Sequence, residues 1–302
     1  MKMGICRELL YLDWIRSLKD CLGRMAPGIE WVHDPSGDVD CRLLMDGDAC
    51  YPFKKMVRSS VSLLDDVDAL LIPRVVGLDG FLMCPNFRAL PDMVRLNMRR
   101  YGLCEKRPVF TPETDLAELR HVERLAKKIY RDVLGEDIEA KGDVVFEKEH
   151  KGSIDRDISG SVALIGHPYL LMDNRLNNGV PHILQTNGID TVTSHDIDFR
   201  ELTDLAAAHD FYAKRLYWRP AREVLGAFIY FSSIKPTAGI IHLVPFNCGV
   251  DALIRIETMG LYKQMDSPPP YMVIVCDEHT QRDHVVTRVE AFLDIIHGIR
   301  IN

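Results

Sequence analysis

Short apolar runs alternate with stretches of helical periodicity through the first half of the chain. Residues 2–6 form an apolar run, and residues 9–25 follow with apolar side chains three or four positions apart. A short apolar run favours a buried strand, and spacing of three or four favours a helix with one buried face. The same alternation predicts strands at 28–33, 67–73 and 108–111 and helices at 51–64, 85–101 and 115–134.

The second half repeats this pattern. Strands that alternate with helices form parallel sheets with crossover connections. We therefore predict an α/β protein of two similar doubly wound domains, whose parallel sheets face each other across a cleft. In the second half the predicted strands are 161–165, 189–193, 240–244 and 271–276, and the predicted helices are 175–187, 198–234 (broken near Pro220), 250–262 and 283–297.

Residues 135–161 separate the two halves. They are polar, charged and glycine-containing, with little periodicity, which is typical of a connection between domains. The sequence therefore predicts an N-terminal α/β domain at 1–150 and a C-terminal α/β domain at 151–302.

Composition narrows the classes of partner. The chain has 302 residues, of which 47% are hydrophobic and 27% charged, and its formal net charge is −7. Because no excess of basic residues is present to neutralise phosphates, we expect no nucleic acid or anionic membrane as partner. We find no secretory leader at the N-terminus and no apolar run long enough to span a bilayer, so we expect a cytoplasmic protein.

Eight cysteines supply the candidate chemistry. In a cytoplasmic chain we expect no disulfides, so each cysteine is either a small buried side chain or a metal ligand. Cys21, on a predicted amphipathic helix, fits the first role. Cys50 and Cys84 in the first predicted domain and Cys248 in the second each stand just before a predicted helix. A helix N-terminus stabilises a thiolate, and thiolates bind iron–sulfur clusters, zinc or Cu(I).

The ends of the predicted strands favour an overlapping set of cysteines. Open parallel sheets bind ligands beyond the carboxyl ends of their strands. Four cysteines lie at or just after such predicted ends, namely Cys6, Cys84, Cys248 and Cys276. His167 also follows a predicted strand directly.

An ordered set of motifs resembles a known family. The chain is similar to proteins related to the D-component of 2-hydroxyacyl-CoA dehydratases, and more closely to the branch related to acyl-CoA dehydratase activases. The motifs that carry the resemblance are Gly47-Asp-Ala-Cys-Tyr-Pro-Phe-Lys54, Asp68-Ala-Leu-Leu-Ile-Pro73, Cys84-Pro-Asn-Phe-Arg-Ala-Leu-Pro91, His167-Pro-Tyr169, Asn178-Gly-Val-Pro181, Asn247-Cys-Gly-Val-Asp251 and Asp277-Glu-His279, followed by Arg288-Val-Glu-Ala-Phe-Leu-Asp294.

The resemblance implies a redox function. It implies a [4Fe–4S] cluster held by Cys50, Cys84 and Cys248 at the domain interface. It also implies an ATP-dependent activase as partner, which supplies a low-potential electron for the reduction or radical dehydration of an activated substrate. The chain has no phosphate loop of its own, so ATP hydrolysis belongs to that partner. Relatives work as heteromers, and we expect a homo- or hetero-oligomer here.

The chain departs from the branch at one place. Ile5-Cys6-Arg7 stands where the branch has Ile-Pro-Arg, which makes Cys6 a candidate fourth ligand, with a buried thiol as the alternative. Three further residues are substrate candidates: His167 at a strand end, and Arg74 and Arg88, whose guanidinium groups suit an anionic substrate such as a CoA phosphate. The ordinary alternatives are a capping histidine and two surface arginines.

Two other functions stay open on the sequence. One is a non-enzymatic electron relay, or a subunit of an activase complex, that shares the cluster without turnover of its own. The other is a zinc-binding or metal-free binding protein, because three thiolates with an open position also suit zinc. The sequence singles out no catalytic residue and no particular acyl group.

Overall fold

The structure, a computed structural model, divides into two compact units, Met1–Lys148 and Glu149–Asn302. The residues that it describes are 1–34, 47–78, 80–100, 102, 108–116, 120–134, 154–209 and 216–301. Most of the predicted domain connection at 135–161 therefore lies outside the described residues, as do Cys41 and Cys104.

The first unit is built on a four-stranded parallel sheet in the order β2-β1-β3-β6. Helix α1 packs against α4, and α2 packs against α3. A second, three-stranded sheet has the order β5-β4-β7. The elements are β1 (Lys2–Gly4), α1 (Asp13–Met25), β2 (Glu30–Val32), α2 (Tyr51–Ser62), β3 (Ala69–Leu71), β4 (Arg74–Leu78), β5 (Phe81–Leu82), α3 (Pro85–Arg100), β6 (Val109–Phe110), β7 (Glu113–Leu116) and α4 (Arg120–Leu134).

The second unit is built on a four-stranded parallel sheet in the order β11-β10-β8-β9. Every residue of β8 and β10 is buried, as expected for central strands that are covered on both faces. The elements are β8 (Val162–Gly166), α5 (Pro168–Met172), α6 (Val180–Thr186), β9 (Thr191–Thr193), α7 (Phe199–Ala208), α8 (Arg219–Ile229) with a π-helical turn (Tyr230–Ile234), β10 (Gly239–Pro245), α9 (Gly249–Tyr262), β11 (Tyr271–Cys276) and α10 (Arg282–Ile301).

The two parallel sheets share one topology. In each, the first strand of the unit lies between the second and the third, and the fourth follows the third at one edge. The chain therefore changes direction across the sheet between β1 and β3 and between β8 and β10, which are the positions where open α/β sheets bind ligands. The predicted α/β class with parallel sheets is confirmed. The predicted facing of the two sheets stays a prediction.

Two predicted helices differ from the structure. Of the helix predicted at 175–187 only Val180–Thr186 (α6) is helical, because Asn178 and Gly179 adopt left-handed conformations (φ 55° and 75°) that a continuous helix does not allow. The short helix α5 (Pro168–Met172) lies before the predicted range. The helix predicted at 115–134 does not include Asp115 and Leu116, because Glu113–Leu116 pairs in parallel with β4. The described helix is Arg120–Leu134, and residues 117–119 lie outside the described residues.

The sequence does contain a signal for the hairpin of β4 and β5, although the spacing of apolar residues does not show it. The dipeptide Asp79-Gly80 between two apolar stretches is typical of a two-residue hairpin. In the structure β4 and β5 pair antiparallel on either side of it, through Gly77 with Leu82 and Leu78 with Phe81.

Close packing of α7 on α8 gives a test of this core. An added Cβ at Gly226 of α8 would overlap the backbone of Leu202 in α7, lying 2.6 Å from its carbonyl carbon. Backbone cannot rotate away as a side chain can, so the two helices must separate. We expect Gly226→Ala to lower the free energy of unfolding by about 3 kcal/mol, measured by urea unfolding with far-UV circular dichroism.

The matched control is Gly260→Ala on α9, where a Cβ meets no atom within 4 Å. That variant should be unchanged or up to about 1 kcal/mol more stable, because alanine favours a helix over glycine. Equal stability of both variants would show that α7 and α8 are packed less closely than described.

Candidate metal centre and cysteine sites

Three residues of the second unit meet at the point where its strand order reverses. His167 directly follows β8, and Cys248 follows β10 by three residues. Because β8 and β10 are parallel neighbours, their carboxyl ends lie side by side. Asp251 stands in the first turn of α9, three residues after Cys248.

Local backbone geometry brings His167 and Cys248 into place. Gly166 has φ +153°, and a Cβ there would lie 2.7 Å from the carbonyl oxygen of Leu243 on β10, so a side chain is excluded. After β10 the chain turns through Asn247, which has φ 57°. Cys248 then adopts an extended conformation as the N-cap residue of α9.

The side chains converge on the ring of His167. Its Nε2 lies 3.0 Å from Asp251 Oδ2 and 3.8 Å from Cys248 Sγ. The three ligand atoms all lie within 4.8 Å of one another. His167 and Asp251 are buried, Cys248 is half-buried, and the ring of Tyr169 stacks on His167 at 5.3 Å between centroids. This group is here called the His–Cys–Asp cluster.

Electrostatics favours an ionised pair within this cluster. Burial alone would lower the pKa of His167, but the carboxylate of Asp251 outweighs it, with help from Cys248, and raises that pKa well above 6.5. Burial alone would raise the pKa of Asp251, but His167, and to a smaller extent His242 and Arg255, hold it below 3.8. Without a bound metal, imidazolium and carboxylate therefore face each other at neutral pH.

A second buried polar group lies along β10, β11 and α9. His242 Nδ1 lies 2.8 Å from the hydroxyl oxygen of Tyr271, which lies 2.9 Å from Thr258 Oγ1. Burial lowers the pKa of His242 to about 4, although Asp251 acts in the opposite direction. Burial likewise raises the pKa of Tyr271 to about 12. Both side chains are therefore neutral at neutral pH.

His242 makes stability depend on pH. Its folded pKa is below its unfolded value, so its contribution is complete above pH 6.5 and is lost as pH falls towards 4. Between pH 7 and pH 5 we expect His242 to account for a loss of about 2 kcal/mol in the free energy of unfolding. His242→Gln, which cannot titrate, should lose about 2 kcal/mol less over that interval.

The control is His182→Gln, at an exposed position on α6, which should keep the wild-type pH dependence. Urea unfolding at several pH values measures all three proteins. Identical slopes for wild type and His242→Gln would contradict the neutral, buried state of His242.

In the first unit, Cys50 and Cys84 occupy helix starts. Cys50 is the N-cap residue of α2, in an extended conformation, and its carbonyl accepts the first helical hydrogen bond from the N–H of Lys54 at 3.1 Å. The carbonyl of Cys84 accepts the corresponding bond of α3 from Arg88, also at 3.1 Å. The amide of Asn86, in the first turn of α3, donates to Cys50 Sγ at 3.5 Å, which brings the start of α3 to Cys50.

Cys248 repeats this geometry in the second unit. Its carbonyl accepts from the N–H of Ala252 at 2.9 Å, the first helical hydrogen bond of α9. The three candidate cysteines therefore share one local setting, and the prediction that each precedes a helix is confirmed.

A family model matches a segment of the chain that contains two of the three candidate cysteines. The model described as "CoA enzyme activase uncharacterised domain" (DUF2229) matches residues 39–197, which is more than half of the chain. The chain belongs to this CoA enzyme activase domain family. The prediction of an activase-related family is confirmed, whereas the relation to the D-component of 2-hydroxyacyl-CoA dehydratases stays a prediction. The matched segment includes Cys50, Cys84 and His167, whereas Cys248 lies beyond it.

Other comparisons add little to the family assignment. No curated protein matches the chain significantly. Among solved structures, one match is a LacI family transcriptional regulator from Arthrobacter sp. FB24 in complex with lactose. The alignment covers 99% of this chain and 91% of the regulator, with 12% sequence identity and a TM-score of 0.24. A TM-score of that size does not show a shared fold.

In the described part of this family member, no helix has the length and apolar character needed to cross a membrane.

Cys6, the candidate fourth ligand, lies in a different environment. It follows β1 and is buried beside Glu8, whose Oε1 accepts a hydrogen bond from Ser59 Oγ at 3.0 Å. Burial, reinforced by the charge of Glu8, raises the pKa of the Cys6 thiol strongly. This setting favours a neutral thiol over a thiolate ligand.

The two arginine candidates are in contact, with Arg74 at the start of β4 and Arg88 in α3. The guanidinium of Arg74 binds both carboxylate oxygens of Asp92, at 2.7 and 2.5 Å, and donates to the carbonyl of Arg88 at 3.0 Å. Arg74 thereby ties β4 to α3. The side chain of Arg88 is exposed. A substrate role for Arg74, Arg88 or His167 stays a prediction.

Asp251 and His242 are the site residues that sequence reasoning missed. The sequence could have indicated Asp251, because it stands three positions after Cys248 at the start of a predicted helix, and residues with that spacing lie on the same side of a helix. His242 had none, since it stands inside an apolar strand where an isolated histidine predicts only burial.

Proposed function

We propose that this family member is an iron–sulfur redox protein that acts in the activation of CoA-thioester chemistry. It would hold a [4Fe–4S] cluster through Cys50 and Cys84 of the first unit and Cys248 of the second. An ATP-dependent activase would supply a low-potential electron, used for the reduction or radical dehydration of an activated substrate. Membership of the CoA enzyme activase domain family supports the chemical context.

The shared position of the three cysteines at helix N-termini is the observation that carries this proposal. The first N–H groups of a helix lack intrahelical partners and carry partial positive charge, so they stabilise a thiolate at the N-cap. Among the six described cysteines, only Cys50, Cys84 and Cys248 stand at the start of an α-helix. Cys21 lies within α1, and burial raises the pKa of Cys276 to about 12.

The donor set fits the cofactor. Thiolates are the usual protein ligands of iron–sulfur clusters, and hydrogen bonds to their sulfurs set the reduction potential. Asn86 donates such a bond to Cys50 Sγ, and His167 Nε2 lies within hydrogen-bonding distance of Cys248 Sγ. When bound, the cluster would supply one-electron transfer. The residues of this chain would hold it and tune its potential.

Electron exchange with an activase tests the function. The anaerobically purified protein is mixed with a purified acyl-CoA dehydratase activase, ATP and dithionite, and its visible spectrum is followed. We expect reduction that requires ATP. Product formation after addition of a 2-hydroxyacyl-CoA would identify an enzyme, and reduction without product would identify an electron relay. No ATP-dependent reduction would contradict the proposed function.

A further inference from the structure

We propose that the His–Cys–Asp cluster of the second unit is a binding site for one divalent transition-metal ion of the zinc class. The ligands would be His167 Nε2, Cys248 Sγ and the carboxylate of Asp251. This site needs no residue of the first unit. It goes beyond the proposed iron–sulfur function and does not rest on it.

The distances fit tetrahedral coordination. Zinc binds histidine nitrogen at about 2.0–2.1 Å, carboxylate oxygen at about 2.0–2.2 Å and thiolate sulfur at about 2.3 Å. At tetrahedral angles, these bonds put nitrogen and oxygen about 3.3 Å apart and nitrogen and sulfur about 3.6 Å apart. The observed distances from His167 Nε2 are 3.0 Å to Asp251 Oδ2 and 3.8 Å to Cys248 Sγ. Both distances from the imidazole are within a few tenths of an ångström of these values, and the sulfur and carboxylate oxygen lie within 4.8 Å of each other.

Besides the distances, the buried carboxylate of Asp251 is a second indication that this site binds a cation. It is fully buried, and apart from the His167 ring no hydrogen-bond donor in the described part of the chain reaches either carboxylate oxygen. The ring of His167 faces Oδ2, so Oδ1 remains buried with no donor among the described residues, and a bound cation would satisfy it. Backbone N–H groups, which commonly satisfy an acidic residue in the first turn of a helix, do not do so here.

Charge balance and ligand type select the class of metal. A neutral imidazole, a thiolate and a carboxylate together cancel the charge of a divalent ion, so the filled site would bury no net charge. One soft sulfur and one imidazole favour zinc or cobalt over magnesium and calcium, which prefer oxygen ligands. Three protein ligands leave a fourth position open for water, as in catalytic zinc sites.

The two proposed occupants exclude each other, because both need Cys248. A zinc-class ion would use Cys248 with His167 and Asp251, whereas a cluster would use it with Cys50 and Cys84. Protein produced with excess zinc and little iron should therefore contain zinc and be depleted of cluster.

Cobalt titration tests this site. Cluster-free, reduced full-length protein is titrated with Co²⁺ under anaerobic conditions. We expect one equivalent to bind with a thiolate-to-cobalt charge-transfer band and tetrahedral visible bands, and Zn²⁺ to displace it. Cys50→Ser/Cys84→Ser should give the same spectrum, although it should fail to hold iron. Absence of the charge-transfer band in both proteins would overturn the proposal.

Two variants test the remaining ligands. His167→Gln and Asp251→Asn should each weaken cobalt binding at least about 100-fold, with far-UV circular dichroism recorded on the same samples. Unchanged affinity in both would overturn the assignment of these ligands. If either variant unfolds, wild type and Cys50→Ser/Cys84→Ser still decide the question. Iron loss in the double variant reports on the cluster separately from cobalt binding.

Discussion

Serine at position 50, 84 or 248 is expected to remove most of the iron from the protein. Serine keeps the size of the side chain but offers a hydroxyl in place of a thiolate, which binds iron clusters poorly. Each of Cys50→Ser, Cys84→Ser and Cys248→Ser should lower iron and acid-labile sulfide by at least about five-fold. The measurement is metal and sulfide analysis after anaerobic purification.

Two further cysteines serve as controls. Cys21→Ala changes a buried side chain in the middle of α1 and should keep all the iron. Cys6→Ala should also keep it, because burial beside Glu8 favours a neutral thiol there. Full iron retention in all three candidate variants would contradict the ligand assignment. Loss of iron in Cys6→Ala would instead establish Cys6 as the fourth ligand.

Removing His167 is expected to destabilise the metal-free protein strongly. Asp251 is fully buried, and His167 is the charged group 3.0 Å from it. Breaking a buried ion pair by removing one partner typically costs about 3–5 kcal/mol, because the remaining charge is left uncompensated. We therefore expect His167→Ala to lower the free energy of unfolding by about 4 kcal/mol at pH 6 in the presence of EDTA.

A double-mutant cycle separates this charge effect from lost packing. In His167→Ala/Asp251→Asn no charge remains buried, so the double variant should be more stable than the sum of the two single changes predicts, by about 2 kcal/mol. The control pair is His182→Ala with Asp251→Asn, which should be additive because His182 is exposed on α6. Additive effects of His167→Ala and Asp251→Asn would contradict the buried ion pair.

Local patterns predicted much of the fold. Residues 240–244 are apolar except for His242, and such nearly continuous apolar runs are typical of central parallel strands, which are covered on both faces. The shared order of the two sheets could not be obtained in this way, since strand pairing joins residues far apart in the sequence. Glu113–Leu116 was missed for a related reason. Its residues are mostly polar, and only pairing with β4 makes them a strand.

The candidate site was predicted in part for the same physical reason. The position of each cysteine before a helix is a local property, which the sequence shows through Pro52, Pro85 and Gly249 next to the helix starts. The contact between His167 and Cys248 joins residues 81 positions apart, and it depends on β8 and β10 being neighbours. No local pattern contains that information.

Iron and acid-labile sulfide content after strictly anaerobic purification, with an EPR spectrum of the dithionite-reduced protein, tests the central claim most directly. A [4Fe–4S] protein should contain about four iron and about four sulfide per chain and give the spectrum of a reduced cluster. Protein produced with ample iron that contains neither iron nor sulfide, whether or not it holds one equivalent of zinc, would contradict the iron–sulfur function.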